Sequence, residues 1–171
     1  MFKEIRLICL ILSCTLYPAL SCITPKNQQK IVAWDIHGVL CTQPFFGGSK
    51  CEPYQEMFRI VEQLNKNGVT QVIFSNISKR SFRKLIARFP QLFKNFDITR
   101  SIAEGKGIFT RKPYKKYYKK LLNINEINPN NIIFFDDKDI NIKNSHKLGI
   151  DGHIFYNVTQ AKEVLKQNNL L

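Results

Sequence analysis

The sequence contains no Cys-x-x-Cys pair and no cysteine–histidine cluster at zinc spacing, which excludes a structural zinc module. It has no internal repeat and no low-complexity tract, so solenoid and disordered architectures are also excluded. Acidic residues are scarce, 13 against 26 lysines and arginines, and the formal net charge is +13. That imbalance favours an acidic partner. The longest apolar stretch, from Leu7 to Leu20, is interrupted by Ser13, Thr15 and Pro18. It falls short of the roughly 20 residues that span a bilayer. At 171 residues the chain suffices for one domain with a sizeable core, but not for two domains and a leader.

Lys3 and Arg6 precede that stretch, which ends in Pro18-Ala-Leu-Ser21-Cys22. A basic start, a short apolar centre and small residues before a cut mark a secretory signal peptide. Residues 1–22 are therefore read as a signal peptide or membrane anchor, 23–30 as a linker and 31–171 as the folded domain. The expected location is exported, periplasmic or extracellular. Lipidation at Cys22 stays open, since Ala19 stands where a branched aliphatic residue is commoner. Only Cys41 and Cys51 lie in the domain, ten residues apart around Gly47-Gly48. They could form a disulfide or remain two buried thiols.

From residue 31 onward apolar strands alternate with amphipathic helices. Strands are expected at Ile31–Asp35, Val69–Ser75, Phe96–Arg100, Ile132–Phe135 and His153–Tyr156. Helices are expected from Pro53 to Asn67-Gly68, at Ser78–Phe89, from Pro113, at Ile140–Leu148 and at Gln160–Asn168. In the helix from Pro113, Tyr114, Tyr117, Tyr118, Leu121 and Leu122 form the apolar face. Strict alternation predicts a parallel sheet with helices on both faces, a three-layer Rossmann-like α/β fold. Its polar strand ends share one edge, which gathers Asp35, Ser75 and the Asp136-Asp137 pair.

These residues, with Lys112, resemble the four motifs of the haloacid dehalogenase superfamily, whose members are mostly phosphatases. An apolar strand followed by Asp-x-Asp-Gly-x-Leu is met by Asp35-Ile-His37-Gly38-Val-Leu40. A strand ending in Ser or Thr is met by Val72-Ile-Phe-Ser75-Asn76, and a lysine near a helix start by Lys112-Pro113. The paired acids after a strand are met by Phe134-Phe-Asp136-Asp137-x-x-x-Asn141. The resemblance spans about Ile31 to Tyr156 and implies a Mg²⁺-dependent phosphatase. It makes Asp35 the nucleophile of an aspartyl-phosphate intermediate and assigns the metal to Asp35, the His37 carbonyl, Asp136 and Asp137. Ser75 and the amide of Asn76 would bind phosphate oxygens, Lys112 would offset charge on the transferring group, and Asn141 would orient the acids from behind.

His37 stands where such phosphatases carry the second aspartate that serves as general acid and base. Imidazole can transfer protons near neutral pH, so slow turnover and a domain that only binds a phosphorylated ligand both follow. The gaps between motifs hold no substantial cap, which suits a large or exposed substrate. Between Arg100 and Lys120, eight basic residues are opposed only by Glu104, which offers contact with an anionic surface. Specific nucleic-acid binding is not expected there, because Tyr114, Tyr117 and Tyr118 belong to the face expected to pack inward.

Overall fold

A computed structural model describes residues 29–43, 51–105, 107 and 109–171. The leader-like segment 1–22, Cys22, most of the linker and the Gly47-Gly48 turn lie outside the described residues. No helix among the described residues is long and apolar enough to cross a membrane.

Five strands, β1 (Ile31–Trp34), β2 (Thr70–Ser75), β3 (Ile102–Ala103), β4 (Ile132–Asp136) and β5 (Asp151–Ile154), form one parallel sheet in the order β3-β2-β1-β4-β5. Between them run α1 (Gln55–Lys66), α2 (Lys79–Arg88), the short α3 (Pro90–Phe93), α4 (Lys115–Asn125) and α5 (Asp139–His146), and α6 (Val158–Gln167) closes the chain. Successive strand residues point to opposite faces. Val32, Trp34, Ile73, Ile133 and Phe135 pack with Met57 and Leu64 of α1, Leu85 of α2 and Leu165 of α6. Ile31, Ala33, Val72, Phe74, Ile132 and Phe134 pack against Tyr117, Tyr118 and Leu121 of α4 and Ile142 of α5. The result is three layers with a core on each side of the sheet. Gln71, buried among apolar groups, accepts from Trp34 Nε1 at 3.1 Å and donates to the Val61 carbonyl at 2.9 Å, so no lone polar group is stranded there.

Between β1 and α1 the described residues hold two isolated bridges and no further helix or strand, and between β2 and β3 they hold only α2 and α3. The fold thus leaves the carboxyl ends of β1, β2 and β4 adjacent.

Three expectations need correction. The third strand is Ile102–Ala103, not Phe96–Arg100. The Asp97 carboxylate accepts from the Thr99 amide, the Thr99 hydroxyl and the Arg100 amide, and these local bonds draw the segment into a turn. Ser101 then carries the sheet edge, its hydroxyl donating to the Asp97 carbonyl and accepting from the Ile73 amide. The last strand begins earlier, at Asp151, and Tyr156 beyond it is 72% exposed. Tyr114 is not on the inward face of α4 but at its N-cap, exposed and set edge-on to Phe109.

Candidate active site

Motif one is built by β1 and the turn that follows it. The Asp35 amide still donates to the Phe135 carbonyl at 3.0 Å, so the sheet ladder holds Asp35 in place. The amides of Leu40 and Cys41 both return to the Ile36 carbonyl, at 2.9 and 2.8 Å, and close the turn. Gly38 lies in that turn at φ +80°, and a Cβ there would stand 2.7 Å from Asp137 Oδ2. Glycine is required both by the backbone and by the neighbouring acid.

At the strand ends Asp35, Asp136 and Asp137 each bring one carboxylate oxygen within 4.8 Å of the others. Lys112 enters the cluster from the start of the α4 segment, fully buried. Its Nζ lies 2.5 Å from Asp136 Oδ2, 3.2 Å from Asp35 Oδ1 and 2.6 Å from the Phe74 carbonyl, with the Phe74 and Phe134 rings about it. Asp136 Oδ1 accepts from Asn141 Nδ2 at 2.8 Å and from the Lys138 amide at 2.9 Å. Asp35 Oδ1 also accepts from the Ile36 amide at 2.8 Å, which fixes the rotation of that carboxylate. Asp137 is the least satisfied acid. Its Oδ2 accepts from Gln43 Nε2 at 2.7 Å, whereas its buried Oδ1 has no hydrogen-bond partner among the described residues.

The electrostatics follow from burial. Desolvation raises the Asp136 and Asp137 carboxyls above the ordinary range, and the charge of Asp35 raises both further, while Lys112 opposes the shift. Three acids of one sign, one with a buried oxygen lacking a donor, fit a hard divalent cation held by oxygen ligands.

The serine of motif two is buried at the end of β2. Tyr117, whose phenol burial pushes upward and so keeps protonated, donates to the Ser75 carbonyl at 2.8 Å. Asn76 has a role the sequence did not disclose. Its Oδ1 accepts from the Lys112 amide at 2.7 Å and its Nδ2 donates to the Lys112 carbonyl at 3.0 Å, so the side chain clamps the backbone that delivers the lysine. The clamp leaves the Asn76 main chain little room. A Cβ on Gly105 would sit 1.7 Å from the Asn76 carbonyl oxygen. Gly105→Ala is therefore expected to lower stability by about 1–3 kcal/mol, the usual cost of overpacking, and to loosen the Lys112 clamp. Thermal melting of the variant checks the first effect and its residual activity the second.

His37 is half-buried beside Cys51, whose thiol it lowers. Cys41 and Cys51 are free, buried thiols that share a hydrogen bond. Cys41 keeps its proton, because the bond to Cys51 and burial both raise it, and the bond from Cys41 lowers Cys51. The proximity of this histidine and thiol leaves no mark along the chain, since residues 37 and 51 meet only when Cys41 pairs with Pro53.

Carboxylates clustered at the carboxyl ends of a parallel Rossmann-like sheet, with a buried lysine between them, mark a hydrolytic site. The chain belongs to the haloacid dehalogenase-like hydrolase family, whose profile matches residues 35–154. Solved structures share the fold at low identity. A haloacid dehalogenase superfamily hydrolase of Ehrlichia chaffeensis superposes with a TM-score of 0.62 at 14% identity, over 82% of this chain and 98% of that one. A family enzyme of Bacteroides thetaiotaomicron, solved with magnesium and inorganic phosphate, gives 0.62 at 14% identity over 74% and 93%. The N-terminal part of a Bacteroides fragilis protein, containing a phosphatase domain in complex with magnesium, gives 0.62 at 11% over 85% and 41%. No curated protein sequence matches the chain significantly.

Proposed function

We propose that the chain hydrolyses phosphate monoesters by attack of the Asp35 carboxylate on phosphorus. The observation that carries this reading is Lys112, whose ammonium bridges Asp35 and Asp136 inside a cluster of three carboxylates. In the first step a bond forms between Asp35 and phosphorus as the ester P–O bond breaks, and the departing alkoxide takes a proton from His37 or water to leave as the alcohol. Water then cleaves the aspartyl phosphate, releasing phosphate and restoring Asp35. Ser75 and the Asn76 amide would take the phosphate oxygens, and Lys112 would offset their charge. Magnesium held by Asp35, Asp136, Asp137 and the His37 carbonyl would screen the nucleophile from the phosphate dianion. Asn141 orients Asp136 for that role.

An exposed or large phosphorylated substrate suits this reading, since the described residues between β1 and α1 add no helix or strand and those between β2 and β3 add only α2 and α3. We place the activity outside the cytoplasm, on the character of residues 1–22. Phosphate release from an aryl phosphate, present with Mg²⁺ and abolished by a chelator, is the expected result. No release at any Mg²⁺ concentration would overturn the proposal.

A second reading, a domain that binds phosphorylated ligands and turns them over slowly or not at all, is favoured by His37. Its imidazole neighbours the Cys51 thiol and stands in place of the aspartate that protonates the leaving alkoxide in such phosphatases. His37→Asp separates the two. On a competent scaffold the substitution is expected to raise turnover of alkyl phosphates by about tenfold or more, with less gain for aryl phosphates, whose leaving groups need no proton. Unchanged alkyl phosphate turnover would show that the histidine does not limit the reaction.

A further inference from the structure

A second concave site adjoins the strand ends and takes no part in the chemistry just described. It is a cavity of about 800 Å³, bordered by Lys79, Glu104, Lys116, Tyr117, Lys119 and Lys120. That volume is ordinary for a small-molecule site. Four lysines against one glutamate give it a strongly positive rim, while Ile124 and the lysine stems supply an apolar wall. Glu104 shows what the rim holds well. Its carboxylate sits between Lys79, at 2.7 Å, and Lys120, and these two cations hold it below the ordinary carboxylate range. Lys116 and Lys119 are exposed on the same border.

The position of the cavity relative to Asp35 is set by the sheet. Ala103, which precedes Glu104, pairs with Ser75, and β2 is the neighbour of β1. Two strand spacings, roughly 10 Å, therefore separate the Asp35 end of β1 from the Glu104 end of β3. Tyr117 ties the two places together, since it borders the cavity and its hydroxyl donates to the Ser75 carbonyl.

We propose that this cavity binds the leaving-group side of the substrate, and that the substrate carries a second anionic group that reaches past the β3 strand end, roughly 10 Å or more from the phosphorus under attack. Lys116 and Lys119 receive that group, and the apolar wall takes the connecting body. The inference rests on the phosphatase reading and adds the class of substrate: a phosphate monoester with a remote phosphate or carboxylate.

The test compares hexyl phosphate with hexane-1,6-diyl bisphosphate and with a chain of equal length ending in carboxylate, which separates the two kinds of anion. The whole protein is expected to prefer at least one of the two chains that carry a second anionic group in kcat/KM by about tenfold or more. Lys116→Ala/Lys119→Ala should erase the preference through KM and leave hexyl phosphate turnover within about twofold. Lys162→Ala/Lys166→Ala, which removes the same charge from α6, should leave the preference intact. No preference in the wild type, a preference that survives loss of Lys116 and Lys119, or equal loss in the α6 variant would overturn the proposal. If neither hexyl nor aryl phosphate is hydrolysed, the phosphatase reading fails on its own. Calorimetry with the bisphosphate then decides the cavity: binding lost only in the Lys116/Lys119 variant supports it, and absence of binding to the wild type overturns it.

Discussion

Asp35→Asn is expected to reduce phosphate release by roughly 10⁴-fold or more at saturating Mg²⁺, while the folded protein remains as stable as the wild type. The amide oxygen of asparagine can still accept from the Ile36 amide, which holds the Asp35 carboxylate at 2.8 Å. Lys112 keeps its shorter bond to Asp136 at 2.5 Å, so the buried ammonium is not left without a counter-charge. The lost negative charge even relieves its neighbours, because Asp35 is one of the causes that raise Asp136 and Asp137. The variant thus removes the nucleophile without removing the scaffold. Single-turnover assay with an aryl phosphate, beside urea denaturation, checks both halves. Equal activity in variant and wild type would remove Asp35 from the chemistry.

Most of the fold was legible because a parallel α/β core writes itself in two periods. Buried strands read as continuous apolar runs, as at Ile132–Asp136, and α1 shows its buried face as Met57, Ile60, Val61 and Leu64. The strand at the β3 edge was not legible, because two residues carry too little pattern and Asp97 spends its side chain on a local turn. Among site residues, the motif acids and Lys112 meet at the strand ends as their order along the chain implies. Their supports were hidden. Asn76 clamping the Lys112 backbone, Gln43 on Asp137 and His37 on Cys51 join residues 36, 94 and 14 positions apart, and side-chain partners at such separations leave no periodic signal. Gly105 was equally silent, since the close approach of Asn76 is a fact of tertiary packing.

Lys112→Met is expected to cost about 3–5 kcal/mol of folding stability, more than any surface charge in this basic chain could. Methionine matches the length of the aliphatic stem and keeps contact with Phe74 and Phe134, so the loss is electrostatic rather than a cavity. Removing the ammonium leaves Asp136, fully buried, with only Asn141 and the Lys138 amide as donors and with Asp35 as an unscreened like charge. Burial already raises Asp136, and without Lys112 its carboxyl rises further. A carboxyl raised in the folded state favours folding below its unfolded value and loses that advantage as pH climbs through the folded value. In metal-free protein the deficit of the variant should therefore be largest near neutral pH and shrink as pH falls into the carboxylate range. A deficit that stays constant with pH would assign it to packing. Asp136→Asn in the Lys112→Met background supplies an independent check, since it deletes the charge that the lysine had balanced. The double variant is expected to recover part of the lost stability, whereas Asp136→Asn alone leaves a buried ammonium with only Asp35 at 3.2 Å and the Phe74 carbonyl and should destabilise. Non-additivity of that sign would show that Lys112 and Asp136 act as one buried pair, and that the pair holds the site's shape before any substrate arrives.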